Sequence, residues 1–207
     1  MNRHDFTARK AEHLKRLREF ATFGYDPAKA AENLVKAGGR MTNPVLDIGT
    51  GKGTMAIALA KSGYDVVSVD TDGQEQKFAE FLAAEAGVDG KIRFIVGDAG
   101  EPDFPDGSFG CVAMMNVLHH LANPEKVFMK AARVLKPRGK FIAGEFTPDG
   151  FDMVACVHKK EGRVHNPAGI TLDSAEKHFA ENGFAAEQRF SDRFIEYLIM
   201  EKIEDDK

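Results

Sequence analysis

The 207-residue sequence predicts an α/β fold, a doubly wound sheet built from alternating strands and helices. Three observations carry this expectation. Short apolar or β-branched runs alternate with helical patterns across residues 45–146. A glycine-rich loop, Gly49-Thr-Gly-Lys-Gly53, joins the first such run to the helix behind it. The last two runs follow each other through the short turn at Ser191-Asp192, too short for a crossover helix, so they must pair antiparallel.

In chain order, residues 5–23 carry Leu14, Leu17, Phe20 and Phe23 at helical spacing among charges, the pattern of an amphipathic helix. A second helix opens with Asp26 as N-cap and Pro27 at the first helical position, and Gly38-Gly39 ends it. The run after Pro44 is the first strand, and 54–61 is the helix behind the loop. Residues 65–69 form the second strand, closing on Asp70, and 74–86 a helix ended by Gly87. Residues 91–96 form the third strand, closing on Asp98. The turn Phe104-Pro105-Asp106-Gly107 leads to a fourth strand over 109–115. A helix over 124–135 stops at Lys136-Pro137-Arg138-Gly139, and 140–146 is the fifth strand. A helix over 173–182 and strands over 184–190 and 194–202 follow.

With 43% hydrophobic and 29% charged residues, the composition is that of a soluble globular protein, and the length suits a single domain over 1–207. Within it we distinguish N-terminal helices (1–40), a half organised around the loop (45–146), an insertion (147–172) and a C-terminal helix and hairpin (173–203). Apolar runs fall far short of the ~18 residues of a membrane span. The start, Met-Asn-Arg-His-Asp-Phe, has no apolar signal core, so a cytoplasmic protein with no membrane partner is expected. Cys111 and Cys156 fit thiols in a reducing compartment better than a disulfide. The formal net charge of −4 argues against broad nucleic-acid binding, and the basic stretch Lys10, Lys15, Arg16 and Arg18 reads first as a solvated helix face. Oligomeric state is not legible.

Three kinds of nucleotide loop compete for residues 45–60. A P-loop needs Gly-Lys followed by Ser or Thr, but Lys52 is followed by Gly53. A dinucleotide loop needs G-x-G-x-x-G, but counting from Gly49 the third glycine position holds Thr54, and Asp47 would repel a pyrophosphate. An acid there suits a ligand carrying positive charge. Asp47-Ile-Gly49-Thr-Gly51-Lys-Gly53 resembles the first motif of the class I S-adenosylmethionine-dependent methyltransferases, with every fixed position filled. The resemblance implies a Rossmann-like seven-stranded sheet of order 3-2-1-4-5-7-6 with strand 7 antiparallel, and S-adenosylmethionine as cofactor. The segments Asp106-Gly-Ser-Phe-Gly-Cys-Val, Asn116-Val-Leu-His-His-Leu and Leu135-Lys-Pro-Arg-Gly-Lys resemble the small-molecule (type 11) branch seen in quinone-biosynthesis C-methyltransferases. The chain departs from that pattern at Gly110-Cys111, where an acid is common. It also lacks the Asn-Pro-Pro-Tyr type of tetrapeptide, which weighs against methylation of base amines.

In an open α/β sheet the ligand sits at the carboxyl ends of the strands. Here those ends carry Asp47, Asp70, Asp98, Asn116 and Glu145. The resemblance implies that Asp47, Gly49, Thr50, Gly51 and Gly53 form the cofactor loop and that Asp70, with Thr71 beside it, takes the ribose hydroxyls. It further implies that Asp98 and the Ala99 amide meet the adenine and that Asn116 meets the methionine ammonium. Lys52 faces either the cofactor carboxylate or solvent. Methyl transfer needs orientation and, for some nucleophiles, a base. His119 and His120 are the candidates for either task, or are a helix-start pair of no catalytic consequence. Glu145, His158 and His165 are expected on the substrate side.

The segment 147–171 is too long for an ordinary connection and is expected to border the substrate pocket. Extended, it would put Cys156 and His158 on one face, where with His165 they would suit zinc; Pro148-Asp149-Gly150 instead suggests a helix start, which would separate them. A pocket lid is the preferred reading, and no metal is assigned. The function expected is methyl transfer from S-adenosylmethionine to a small-molecule substrate. The alternatives are a methyltransferase acting on a protein or RNA, and a non-catalytic cofactor-binding protein.

Overall fold

A computed structural model describes residues 3–99, 104–162, 169 and 171–203. Two helices, α1 (Arg3–Thr22) and α2 (Pro27–Gly38), precede the sheet. The chain then alternates through β1 (Val45–Ile48), α3 (Thr54–Lys61), β2 (Val66–Asp70), α4 (Gly73–Glu85), β3 (Ile92–Val96), β4 (Phe109–Met115), α5 (Pro124–Val134) and β5 (Leu135–Phe146). It closes with α6 (Pro148–Lys160), α7 (Leu172–Glu181), β6 (Phe184–Ser191) and β7 (Ile195–Lys202). The strands form a seven-stranded sheet in the order β3-β2-β1-β4-β5-β7-β6, as expected, with β7 antiparallel to both neighbours.

Local chemistry sets the boundaries. The Asp26 carboxylate accepts from Ala28 N and Lys29 N at 2.9 and 3.3 Å and Pro27 presets the first turn, so α2 starts where the sequence says. Thr147 caps α6 in the same way, its Oγ1 accepting from Gly150 N at 3.1 Å. The segment after β5 is therefore helical, and the extended arrangement of Cys156 and His158 is not formed. Most boundaries fall within two residues of the expectation, and the largest difference is at β5. Strand β5 begins at Leu135 rather than Lys140, because Phe109 pairs with Leu135 and Cys111 with Lys140; the residues between bulge out around Arg138, whose φ is +57°.

The sheet is covered on both faces. One core gathers α2, α3 and α6 residues, among them Leu34, Leu59 and Val157; the other gathers Phe128 of α5, Phe179 of α7 and Phe141 of β5. The central strands β1 and β4 are almost entirely buried, as parallel strands with helices on both sides must be. Gly110 answers the family departure noted above. A Cβ there would lie 2.0 Å from the Thr42 carbonyl oxygen, so the segment entering β1 runs against bare backbone of β4. No helix among the described residues is long and apolar enough to cross a membrane.

Candidate active site

The carboxyl ends of β1, β2, β4 and β5 and the loop after β3 open into one cavity of about 790 Å³. Its first half is the glycine loop and the two strand ends beside it. Gly49, Gly51 and Gly53 all have positive φ, at +84°, +47° and +78°. The reasons differ. A Cβ on Gly49 would meet Val117 at 2.4 Å, so this glycine lets the loop after β4 close against the loop after β1; a Cβ on Gly51 would meet nothing within 4 Å, so this one leaves the cavity open. Asp70 holds the loop from the next strand. Its Oδ2 accepts from Gly51 N at 2.7 Å and its Oδ1 from Asp72 N at 2.9 Å.

Of the residues expected to bind the cofactor, Gly49, Thr50, Gly51, Asp70, Thr71, Asp98, Ala99 and Asn116 line this cavity. Gly53 does not; a Cβ there would lie 3.0 Å from that of Ala79, so it serves the packing of the loop on α4. Asp47 does not line it either. It is fully buried beneath the loop, and Ser68 Oγ donates to its Oδ2 at 2.6 Å. Burial drives the Asp47 carboxyl up to about 7, against the pull of the Ser68 hydrogen bond and with a smaller push from Asp70. Lys52 lies in the cavity wall with Nζ 3.5 Å from Glu75 Oε2, and Glu75 also pairs with Arg9 at 2.9 Å. Desolvation lowers the Lys52 pKa, with Glu75 opposing the shift.

Asn116 marks the boundary between the halves. It sits at φ +53°, an uncommon conformation for a side-chain-bearing residue, with its own N donating to Gly144 O at 2.8 Å. Its Nδ2 is 3.4 Å from Tyr25 Oη, while its Oδ1 is buried and has no hydrogen-bond partner. A buried carbonyl without a donor at a cavity wall is built to receive one.

The second half is apolar and carries histidines. Leu17 and Phe20 of α1, Tyr25, Met115, Phe146 and Val154 of α6 form its walls, with His119, His120 and His158. His119 is held on two sides by one carboxylate. Glu145 Oε1 lies 2.9 Å from its Nδ1 and Oε2 accepts from its backbone N at 3.3 Å, while Phe146 N donates to Oε1 at 2.8 Å. Both side chains are nearly fully buried, and Glu145 stands behind His119 rather than in the cavity wall. His120 lies against His119 with ring centroids 4.0 Å apart. His165 falls outside the described residues. Among the described residues no group of three His, Cys, Asp or Glu is placed to hold a metal ion.

The family resemblance implies that the N-terminal helices either pack beside or over the cofactor site or merely cover the sheet. Helix α1 does reach the cavity: Leu17 and Phe20 of its apolar face enter the wall, joined by His13 and Arg16, which the sequence reading did not single out as site residues. Burial, then Lys52 and Arg16, push the His13 pKa down to about 4. Helix α1 reaches both halves: Arg9 and Lys10 pair with Glu75 and Glu85 of α4, and Arg16 makes a bidentate pair with Glu161 just past α6, at 2.8 and 2.7 Å. The buried Gln76 of α4 and the pairing of His119 with Glu145 were also missed. The second was implicit in the β4–β5 register, which sets Met115 opposite Gly144.

S-adenosylmethionine fits these residues on two observations. The bare backbone at Gly51 leaves a cradle that any Cβ would fill, and the buried Asn116 oxygen lacks a donor of the kind an ammonium supplies. Comparison with known proteins agrees. Residues 46–143 match the family described as methyltransferase domain. A 27-O-demethylrifamycin SV methyltransferase of Amycolatopsis mediterranei (strain S699) is 32% identical over 158 residues, covering 74% of this chain and 56% of that protein. The ubiquinone/menaquinone biosynthesis C-methyltransferase UbiE of Pseudomonas fluorescens (strain SBW25) is 35% identical over 114 residues, 54% of this chain and 44% of that protein. The chain thus spans about half the length of these curated relatives. In fold it is similar to the PH0226 protein of Pyrococcus horikoshii OT3, with a TM-score of 0.68 and 22% identity over 92% of this chain and 91% of that one. Motif, sheet order and family match converge on the methyltransferase domain, which residues 46–143 match.

Proposed function

We propose that this chain transfers a methyl group from S-adenosylmethionine to a small-molecule acceptor. The observation that carries the reading is the single cavity that runs from the glycine loop to the histidine-bearing apolar half, so that cofactor and acceptor share one enclosed space. Asp70, Asp98 and the Ala99 amide would hold the nucleoside end, and the Gly51 backbone and Asn116 the methionine end. When bound, the cofactor supplies an electrophilic methyl carbon on a good leaving group, so the protein's task is orientation, exclusion of water and removal of the acceptor's proton. His119 is the residue placed for the last of these. With Nδ1 committed to Glu145, its ring plane is fixed and Nε2 is the position at which a proton is exchanged. The apolar walls of Leu17, Phe20, Phe146 and Val154 favour an acceptor with a substantial hydrophobic body. Two cysteines without a disulfide are in keeping with a cytoplasmic setting.

The test combines calorimetry with transfer of a labelled methyl group. The protein should bind S-adenosylmethionine and label a component of the small-molecule fraction of a cell extract. Label appearing only in protein or RNA would replace this reading with a macromolecular methyltransferase, and failure to bind the cofactor would end it.

A further inference from the structure

The acids of the cavity wall are confined to one side. Asp70, Asp72, Glu75 and Asp98 all belong to the cofactor half. Asp70 is tied to the Gly51 and Asp72 amides, Asp72 to the Gln74 and Glu75 amides that open α4, and Glu75 to Lys52 and Arg9. The acceptor half has no carboxylate in its wall among the described residues. Its ionisable groups are His119 and His120 after β4, His158 one turn beyond Val154 on α6, and Arg16, whose charge Glu161 matches. Glu145, near the end of β5, does not make up the lack. It is 3% exposed behind His119, with Oε1 taken by His119 Nδ1 and Phe146 N and Oε2 by His119 N.

This distribution decides which acceptor charge the cavity tolerates. The methyl group must be handed over where the two halves meet, so the cofactor's sulfonium charge must lie there as well. An ammonium in the acceptor half would stand near that cation, out of water, with no carboxylate to pair with. Nor do the aromatic walls replace one. Tyr25 meets Phe20 and Phe146 at steep angles, with centroids 5.5 and 6.0 Å apart. The pull of a ring on a cation is smaller than the repulsion between two unit charges at contact distance in a poorly screened site. An oxyanion meets the opposite field. The sulfonium attracts it, histidine ring N–H groups can donate to it, and methyl transfer removes both charges at once. In an apolar space, a step that ends in two neutral products is favoured over one that leaves an unpaired ammonium.

We propose that the acceptor is an acid, an apolar molecule whose hydroxyl or carboxyl oxygen takes the methyl group as an oxyanion, and that the acceptor half excludes amines by withholding a carboxylate. The proposal rests on the methyltransferase reading of this cavity and adds the class of acceptor. The acceptor's O–H proton passes to His119 Nε2, and the imidazolium forms against a carboxylate already in place at Nδ1. An oxygen electron pair then forms the bond to the methyl carbon, and the carbon–sulfur bond breaks with its pair on sulfur. The products are a neutral ether or ester and a neutral thioether, and His119 gives its proton to solvent. The placement of Glu145 fits this sequence. In the cavity wall it would attract an ammonium and repel an oxyanion, whereas behind His119 it stabilises the proton that the acceptor has given up.

Calorimetry on the full chain with two probes of similar shape, naphthoate and naphthylmethylamine, reads the sign without turnover. Naphthoate should bind at least about threefold more tightly when S-adenosylmethionine rather than the neutral S-adenosylhomocysteine fills the site, and the amine should bind more weakly in the same exchange. Transfer of a labelled methyl group reads the class. A small-molecule extract passed through a cation exchanger at acid pH loses its amines; the flow-through should accept label, and the retained fraction at least about tenfold less. Leu17→Glu places a carboxylate in the half-buried apolar wall, and should tighten the amine while weakening naphthoate. No preference of naphthoate for the S-adenosylmethionine complex, or label confined to the retained fraction, overturns the proposal and leaves the methyltransferase reading in place. Absence of binding by S-adenosylmethionine and S-adenosylhomocysteine alike, or label in macromolecules only, overturns both. Should Leu17→Glu fail to fold, the probe pair and the fractionated extract on the wild-type chain still decide.

Discussion

The two halves of the cavity are built on different principles. The cofactor half is a web of short-range commitments: the Asp70 carboxylate is tied to two backbone amides, and Thr50, Ser68, Gln76 and Asp47 are tied to one another. The acceptor half is assembled from segments far apart in sequence, with α1, Tyr25, β5 and α6 meeting over an apolar space that holds one buried pair, His119 and Glu145. The first half should tolerate little and change cofactor affinity when disturbed. The second should tolerate more, and disturbing it should change turnover.

The hardest test of that contrast compares two glycines in one loop. Gly49→Val should give a chain that barely folds, losing about 3 kcal/mol or more, because the side chain enters Val117 and also resists positive φ. Gly51→Val projects into open cavity, so it should fold with a loss of about 1–2 kcal/mol from φ alone and yet bind no cofactor. Equal melting curves for the two variants would break the distinction. Next in size, Asp70→Ala releases the Gly51 and Asp72 amides and, on the proposed binding role, the ribose as well, and should weaken S-adenosylmethionine by at least about 1.5 kcal/mol, roughly tenfold in Kd. Unchanged affinity with an intact melt would remove Asp70 from the site.

In the other half, Glu145→Gln should lower turnover on the acceptor identified by labelling by about 10²-fold while leaving cofactor Kd within about twofold, since His119 loses the group that fixes its tautomer. A matched loss of cofactor affinity would show that the two halves are not separable. The smallest effect is expected at the surface. Arg16→Ala removes the bidentate contact that fastens α1 beside α6; stability should fall by less than about 1 kcal/mol, as for other part-exposed pairs, while limited proteolysis of α1 accelerates. Unchanged proteolysis would mean that α1 is held by its α4 contacts alone.

The unequal legibility of the halves has the same origin. The glycine loop, Asp26 with Pro27, and the polar strand ends were readable because turn geometry, capping and strand-end position are decided within a few residues. The antiparallel ending was readable because Ser191-Asp192 leaves no length for a crossover. By itself, then, the sequence determined the order of the strands and of the helices other than α6, the sheet through the family resemblance, and the side of the sheet where a ligand belongs. Only the tertiary structure decided that Asp47 lies under the loop rather than in the cavity, that Lys52 answers to Glu75, that Glu145 stands behind His119, and that α1 walls the acceptor half. Each of these depends on which distant segment arrives opposite a side chain, and burial and pairing between distant segments are properties of packing that no local pattern encodes.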